Sequence, residues 1–164
     1  MKNFSFEKVK YYSFEFLEKG EPEFIDFLHR MEKESEYQED MDNLMVWLEE
    51  IGKYYGAKQK FFRPEGYISD TTALPPPGRI MVSHNIPVRN IRLYCMRLSE
   101  HIVILFNGGI KTTEKAQDCR NVSGYFKQAN RLVKKIDQLI REHEIQLNQN
   151  QTELSFQDNL IIEI

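Results

Sequence analysis

The chain has 164 residues, a formal net charge of −3, 41% hydrophobic side chains and 29% charged side chains. This length allows one domain with a sizeable core, and the composition excludes an intrinsically disordered chain. No apolar run reaches the roughly 18–20 residues that span a bilayer, and the N-terminal residues hold no signal-peptide core. We therefore expect a cytoplasmic protein without membrane contact.

Cofactor and metal sites are not indicated by the sequence. Cys95 and Cys119 lie in no metal-ligand spacing, and we interpret them as reduced thiols. There is no glycine-rich phosphate loop and no nucleophile elbow. We expect no cofactor and no metal.

Charge is distributed unevenly along the chain. Residues 1–50 carry a balance of −8, and residues 79–135 carry a balance of +8. Either the second half presents a surface for nucleic acid or an acidic partner, or the two halves neutralise each other in the fold.

The first third of the chain predicts a strand followed by two helices. The aromatic-rich stretch Phe4–Phe16 favours a strand, interrupted near Lys10. Pro22, followed by apolar residues at helical spacing as far as Met31, predicts the first helix. A broad apolar stripe predicts a second helix over residues 38–55, ended by Gly56. We expect the two helices to form an antiparallel pair.

The middle of the chain predicts a strand after an irregular segment. Residues 57–78 mix basic and aromatic side chains and end in a proline-rich turn. These side chains either hold RNA by charge and stacking or form a surface loop whose aromatics fold onto the core. Arg79–His84 is interpreted as a strand.

The stretch from Ile91 to Thr112 predicts the central hairpin of the sheet. Residues 91–98 alternate, Ser99–His101 turns the chain, and Ile102–Phe106 is continuously apolar. A run that is apolar at both odd-numbered and even-numbered positions is typical of a strand buried on both faces. We expect Gly108 and Gly109 to end this strand.

The C-terminal part predicts the longest helix and a separate tail. Apolar residues at helical spacing indicate a helix from Val122 to about Gln146. We divide the chain into one domain, residues 1–146, and a polar linker with a strand-like tail, residues 147–164. The tail is either a last strand of the same sheet or a strand lent to a partner, including a second copy.

These elements predict an α+β fold. Its parts are an N-terminal strand, two antiparallel helices, a three-stranded antiparallel meander and a long C-terminal helix packed on the sheet.

The hairpin resembles the core of the RelE/HigB/ParE superfamily of bacterial toxins from type II toxin–antitoxin modules. In that family L-x-x-L-R-I leads to I-V-L-L and a pair of lysines, and here LYCMRL at residues 93–98 leads to IVIL at residues 102–105 and Lys111. Residues 21–28 and 41–56 resemble the first two helices of the family. The resemblance covers residues 5–117 and implies a RelE/ParE-like fold.

The resemblance also implies a function. It implies a metal-independent endoribonuclease, or mRNA interferase, that cleaves mRNA on the ribosome and is held inactive by an antitoxin protein. Such chemistry deprotonates a 2′-hydroxyl, stabilises a pentavalent phosphate and protonates a leaving oxygen. The catalytic residues expected on this basis are Arg97, Lys111 and His84. The expected RNA-binding residues are Arg92, Lys115, Arg120 and Lys127.

The sequence departs from the family pattern at the position of a functional histidine. HigB-like members have a histidine after the apolar run, where this chain has Phe106 and Asn107. His84, His101 or Tyr125 would have to supply the proton transfers. Two other functions therefore stay open: a noncatalytic toxin-fold protein that blocks a protein target such as gyrase, and an interaction module that uses its C-terminal strand. Arg97 could also serve only as an ion-pair partner of the acidic helices.

Overall fold

The computed structural model describes residues 1–65, 70–113, 119–158 and 160–164. These residues form a mixed six-stranded sheet, a separate two-stranded hairpin and four α-helices, which confirms the α+β class. The helices are α1 (Glu23–Met31), α2 (Gln38–Glu50), α3 (Gly78–His84) and α4 (Arg120–Arg141). The strands are β1 (Lys2–Ser5), β2 (Lys10–Ser13), β3 (Arg63–Pro64), β4 (Thr72–Leu74), β5 (Ile91–Arg97), β6 (Ile102–Ile110), β7 (Ile145–Leu147) and β8 (Leu154–Phe156).

The large sheet has the strand order β1-β2-β6-β5-β4-β3. Strands β2 and β6 are parallel, and every other neighbouring pair in this sheet is antiparallel. Six of the seven residues of β5 and eight of the nine residues of β6 are buried. The expectation of central strands covered on both faces is therefore confirmed.

Two apolar cores flank the sheet. On one face, which we call the α1/α2 face, Leu93 and Leu105 pack with Phe27 and Trp47. On the opposite face, which we call the α4 face, Tyr94 and Ile104 pack with the inner side of α4. Because side chains alternate across a strand, consecutive residues of β5 and β6 supply both cores.

The helix predictions for α1, α2 and α4 are confirmed, except that α4 ends at Arg141 and the predicted end at Gln146 lies in β7. A π-helical turn, Ile51–Tyr55, continues α2, and Gly56 ends it with a φ of +74°. That φ suits glycine because a β-carbon is strained in this backbone region. None of the described helices is both long enough and apolar enough to cross a membrane.

The strand predicted at residues 79–84 is wrong, because these residues form α3. Pro77 precedes the helix with an extended backbone, and Asn85 closes it in the left-handed conformation with a φ of 54°. In the helical conformation Ile80 and Met81 pack on the α1/α2 core. The third strand of the meander is instead β4, which pairs with β5.

One strand boundary also differs from the prediction, whereas another agrees with it. The N-terminal strand is interrupted, as expected, and its halves β1 and β2 form an antiparallel hairpin. Gly108 and Gly109 do not end β6, which continues to Ile110.

The predicted polar linker is also wrong, because residues 145–156 form the β7–β8 hairpin. The side chain of Asn148 accepts hydrogen bonds from the backbone of Thr152 (2.7 Å) and Glu153 (3.1 Å), which stabilises the turn. Ile145 and Leu154 are buried in the α4-face core. The tail is therefore not a strand of the large sheet, and within the described part of residues 147–164 only Leu147 and Leu154–Phe156 are strand.

Candidate active site

The basic side chains expected at the end of the hairpin meet on the α4 face. Arg92 on β5 pairs with Gly109 on β6, and Lys111 follows Gly109 by two residues. Cross-strand partners and residues two positions apart share a face of a sheet, so Arg92 and Lys111 lie on the same side. We call Arg63, Glu65, Arg92, Tyr94, Lys111 and Cys119 the basic cluster.

A β-bulge brings Lys111 to this face. Between the pairs Leu93–Gly108 and Cys95–Leu105, β6 contains one residue more than β5. One extra residue in a strand moves each later side chain to the opposite face of the sheet from the one that strict alternation would give it. Before the bulge Leu105 packs on the α1/α2 face, and beyond it the odd-numbered position Gly109 faces α4.

The two glycines allow the backbones around the bulge to approach closely. A β-carbon on Gly108 would overlap the carbonyl group of Arg92. A β-carbon on Gly109 would lie 3.1 Å from the carbonyl oxygen of Asn121, in the first turn of α4. The close approach of β5 to β6 therefore requires glycine at position 108, and glycine at position 109 leaves room for the first turn of α4.

The charges of the basic cluster act on one another. Burial lowers the pKa of Arg92, and the nearby Glu65 opposes that shift. Burial also lowers the pKa of Lys111, and the positive charge of Arg92 adds to the effect. Burial and Arg92 likewise lower the pKa of Arg63. Three cations thus lie within electrostatic range of one another, with Glu65 as the carboxylate that offsets them.

Two buried donors of the cluster have no hydrogen-bond partner among the described residues. These are Nε of Arg92 and the hydroxyl of Tyr94. Arg92 is 8% exposed and Tyr94 is 0% exposed. The Nε atom of Arg92 lies 3.8 Å from Oε1 of Glu65, beyond hydrogen-bond distance, whereas Nη1 donates to the carbonyl of Ile91 at 2.8 Å. Each unsatisfied buried donor costs about 1–3 kcal/mol, so an acceptor that bonded to either donor would be stabilised here.

Cys119 adds a thiol at the N-terminus of α4. Burial alone would raise its pKa, but hydrogen bonds from the backbone and side chain of Thr112 and from the backbone of Asn121 lower it to about 7. The hydroxyl of Thr112 lies 3.8 Å from the sulfur. Cys119 and Tyr94 are also electrostatically coupled, which places both groups in the same part of the cluster.

A second polar network lies behind the bulge, on the α1/α2 face. The amide of Asn107 donates to Glu23 (2.8 Å) and Asp26 (2.6 Å), and its oxygen accepts from Arg30. Arg30 also donates to the carbonyl of Gly108 at 2.8 Å. Burial would raise the pKa of Asp26, but the hydrogen bonds from Asn107 and Arg30 lower it. This network anchors α1 to the bulge.

The predicted catalytic residues Arg97, Lys111 and His84 do not form one constellation. Arg97 follows Arg92 by five residues, about 16 Å along β5, and faces the other side, where it donates to the carbonyl of Ala57. His84 packs against the rings of Trp47 and Tyr55 on the α1/α2 face. Of the predicted set, only Lys111 lies in the basic cluster.

The other candidates for proton transfer also lie elsewhere. A ring nitrogen of His101 is 2.8 Å from the carbonyl of Lys8. The guanidinium of Arg30 stacks 4.5 Å from the ring centroid of Tyr125.

The predicted RNA-binding residues divide between the cluster and its surroundings. Arg92 belongs to the cluster, whereas Arg120 and Lys127 are exposed on α4. Lys115 lies outside the described residues.

Sequence reasoning missed Arg63, Glu65 and Tyr94 as site residues. Arg63 and Glu65 lie in the segment that we interpreted as irregular, although their alternate spacing is that of one face of a strand. Tyr94 alternates with Arg92, so the same argument would have found it. Cys119 carried no sequence signal, because its environment comes from loop backbone.

No metal centre is evident in the described part of the chain, where no three His, Cys, Asp or Glu side chains lie close enough together to hold an ion. Comparison with protein-family models, with curated proteins and with solved structures gave no match.

Proposed function

We propose that the protein is a RelE/HigB-like toxin of a toxin–antitoxin module and a metal-independent endoribonuclease that acts at the basic cluster. The observation that carries the proposal is the pair of unsatisfied buried donors, Arg92 Nε and the Tyr94 hydroxyl, in electrostatic range of other cations. A phosphodiester group presents the acceptor oxygens and the negative charge that this arrangement lacks. The RelE-like arrangement of helices and strands, the cytoplasmic location, the antitoxin partner and the ribosome-bound mRNA substrate belong to the same proposal.

The cluster contains side chains for each step of the reaction. Glu65 accepts the proton of the 2′-hydroxyl, whose oxygen forms a bond to phosphorus. Arg92 and Tyr94 donate to the non-bridging oxygens as negative charge develops on them. The bond from phosphorus to the 5′ oxygen breaks, and Lys111 protonates this leaving group. Its lowered pKa makes that proton easier to release.

The experiment is induced expression in a bacterial host, with growth followed and mRNA 5′ ends mapped. The wild-type protein should arrest growth and produce new, codon-phased cuts. Arg92→Gln and Lys111→Ala should remove both effects, because each removes a cation from the phosphate site. Lys8→Ala is the matched control, since Lys8 is exposed on a loop outside the cluster.

Arg97→Ala separates two versions of the proposal. If the reaction occurs at the basic cluster, this variant should still produce codon-phased cuts, even if weaker RNA binding lowers their number, provided that it folds with the circular dichroism spectrum of the wild type. Loss of cuts in a folded Arg97→Ala protein, with cuts retained in Arg92→Gln, would overturn the assignment to the basic cluster.

A noncatalytic toxin that blocks a protein target is the second candidate. The observation that favours it is that the chain's four histidines all lie outside the cluster. His29 contacts Glu21 on the acidic side of α1, and His143 is exposed after α4. Growth arrest without cuts, together with inhibition of gyrase supercoiling in vitro, would support this function over cleavage.

An interaction module is the third candidate, and it rests on the C-terminal tail. Leu160 and Ile162 pack on the α4-face core, whereas Ile161 is 64% exposed and Ile164 is 46% exposed. A homo-oligomer formed through this tail should lose mass in solution when the chain is truncated after Asp158. This cut keeps β8 and its buried Leu154, which a truncation after Asn150 would remove. An unchanged mass would exclude the tail as the contact.

A further inference from the structure

The outer face of α4 carries a row of cations. Residues 120–135 contain five basic side chains and no acidic one. Arg120, Lys127, Arg131 and Lys134 follow one another by seven, four and three positions, a spacing that places them on one face of a helix. All four are exposed. We call them the α4 stripe.

The stripe is not neutralised by the rest of the described chain. Two cations on other helical segments are paired one turn away, Arg30 with Asp26 and Lys53 with Glu49. The ion pairs formed among the described residues include no residue of α4. An unpaired row of this kind holds positive potential, which stabilises a polyanion rather than the fold.

The surface chemistry of the stripe favours a nucleic acid over a protein. Protein interfaces have an apolar centre, but the large hydrophobic side chains that are exposed in the described residues all lie outside α4. Interfaces with nucleic acids are polar and strongly basic. The stripe extends about 21 Å along the helix, which is enough to follow several phosphates of one strand.

The stripe leads into an open groove at its Lys134 end. The groove has a volume of about 1090 Å³, and its basic lining residues are Lys60, Arg79, Arg97 and Lys134. Asp70 and Asp137 also line it, so the cations exceed the acidic residues by two. Burial and the neighbouring Asp70 raise the pKa of Asp137. Arg97 therefore lies where a bound strand would continue past α4.

We infer that the α4 stripe and this groove form a track for the phosphate backbone of single-stranded RNA, separate from the basic cluster. The inference rests on the proposed function for the choice of RNA. It assigns to Arg131, Lys134, Arg79 and Lys60 a binding role that the sequence did not indicate, and it gives Arg97 a binding role in place of a catalytic one.

The test is the salt dependence of RNA binding, measured with the full-length protein and a short fluorescein-labelled single-stranded RNA by fluorescence anisotropy. Each phosphate contact contributes about 0.7 to the slope of log K against log salt. The triple variant Lys127→Ala, Arg131→Ala, Lys134→Ala should lower that slope by about 2 and weaken binding roughly fiftyfold at physiological salt. The matched control is Lys2→Ala, Lys8→Ala, Lys58→Ala, which removes the same charge from exposed positions outside α4.

The outcomes separate the track from the catalytic proposal. A lowered slope for the α4 triple variant with an unchanged slope for the control supports the track. Equal slopes for the wild type and the α4 variant, equal losses in both variants, or no binding by the wild type would overturn it. Displacement of the RNA by polyglutamate at equal charge would mean an acidic protein partner instead. Arg92→Gln should abolish cleavage and retain RNA binding. The binding measurement therefore tests the track even if the protein does not cleave RNA.

Discussion

Replacing Asn107 with alanine should destabilise the protein more than replacing an asparagine that makes a single hydrogen bond. Asn107 is 1% exposed, and its amide donates to carboxylates of both Glu23 and Asp26. Glu23 is 0% exposed, and its other oxygen is held by Lys19 at 2.7 Å. Without the amide, one oxygen of the buried Glu23 carboxylate loses its partner, whereas Asp26 keeps Arg30.

The expected magnitude follows from these contacts. A hydrogen bond to a charged group contributes about 1.5–3 kcal/mol, and an unpaired buried partner adds its desolvation cost. Because Asp26 is partly exposed and can recruit water, we expect a total loss of about 3 kcal/mol rather than the full sum of two bonds. The control is Asn43→Ala, which removes one bond to the carbonyl of Pro87 at a half-exposed position and should cost about 1 kcal/mol.

The assay is equilibrium urea denaturation of the two variants and the wild type. The midpoint should fall much further for Asn107→Ala than for Asn43→Ala, with unchanged m values. If the two variants lose stability equally, the Asn107 network does not hold α1 to the sheet and the reasoning is refuted.

Two further predictions concern the glycines and the thiols. Gly108→Ala should lower the unfolding free energy by about 3 kcal/mol, because its β-carbon would collide with the carbonyl of Arg92. Gly124→Ala, with open space around its β-carbon in α4, should instead raise it by about 0.5–1 kcal/mol in thermal denaturation, and equal effects would contradict the close approach at the bulge. In a titration followed by thiolate absorbance, Cys119 should ionise with a midpoint near its pKa of about 7, whereas burial raises the pKa of Cys95 to about 12. The lower transition should vanish in a variant with Cys119→Ala, and a first midpoint at or above about 8.5, the ordinary thiol value, would show that the hydrogen bonds to Cys119 are not formed.

Elements with a strong local period could be predicted from the sequence. The stripes of α1, α2 and α4 and the apolar run of β6 follow directly from their burial on one or two sides. Residues 79–84 misled the prediction because Ile80, Met81 and Val82 are favourable in strands. The flanking Pro77 and Asn85, which begin and end the helix, were the better signal. At three residues, β4 is too short to show any period.

Long-range pairings could not be read from the chain. The parallel contact of β2 with β6 joins residues about ninety positions apart, and no local pattern encodes it. The β7–β8 turn depends on the side chain of Asn148 and on a left-handed Gln151 in a segment whose composition is that of a linker. Polar composition indicated only a linker, and it could not show that Ile145 and Leu154 anchor both ends of a hairpin in the core.

The candidate site was only half predictable, because its assembly depends on one inserted residue. Without the bulge in β6, strict alternation from Leu105 would place Lys111 on the α1/α2 face, away from Arg92. Asn107, the residue that follows the apolar run, also has a structural role in this chain. Where HigB-like toxins have a histidine, Asn107 is occupied by the carboxylates of α1 and cannot transfer a proton to a ligand on the opposite face. Any acid–base chemistry at Arg92 must therefore come from side chains on the α4 face, which is why Glu65 and Lys111 are the residues whose substitution decides whether this fold cleaves RNA.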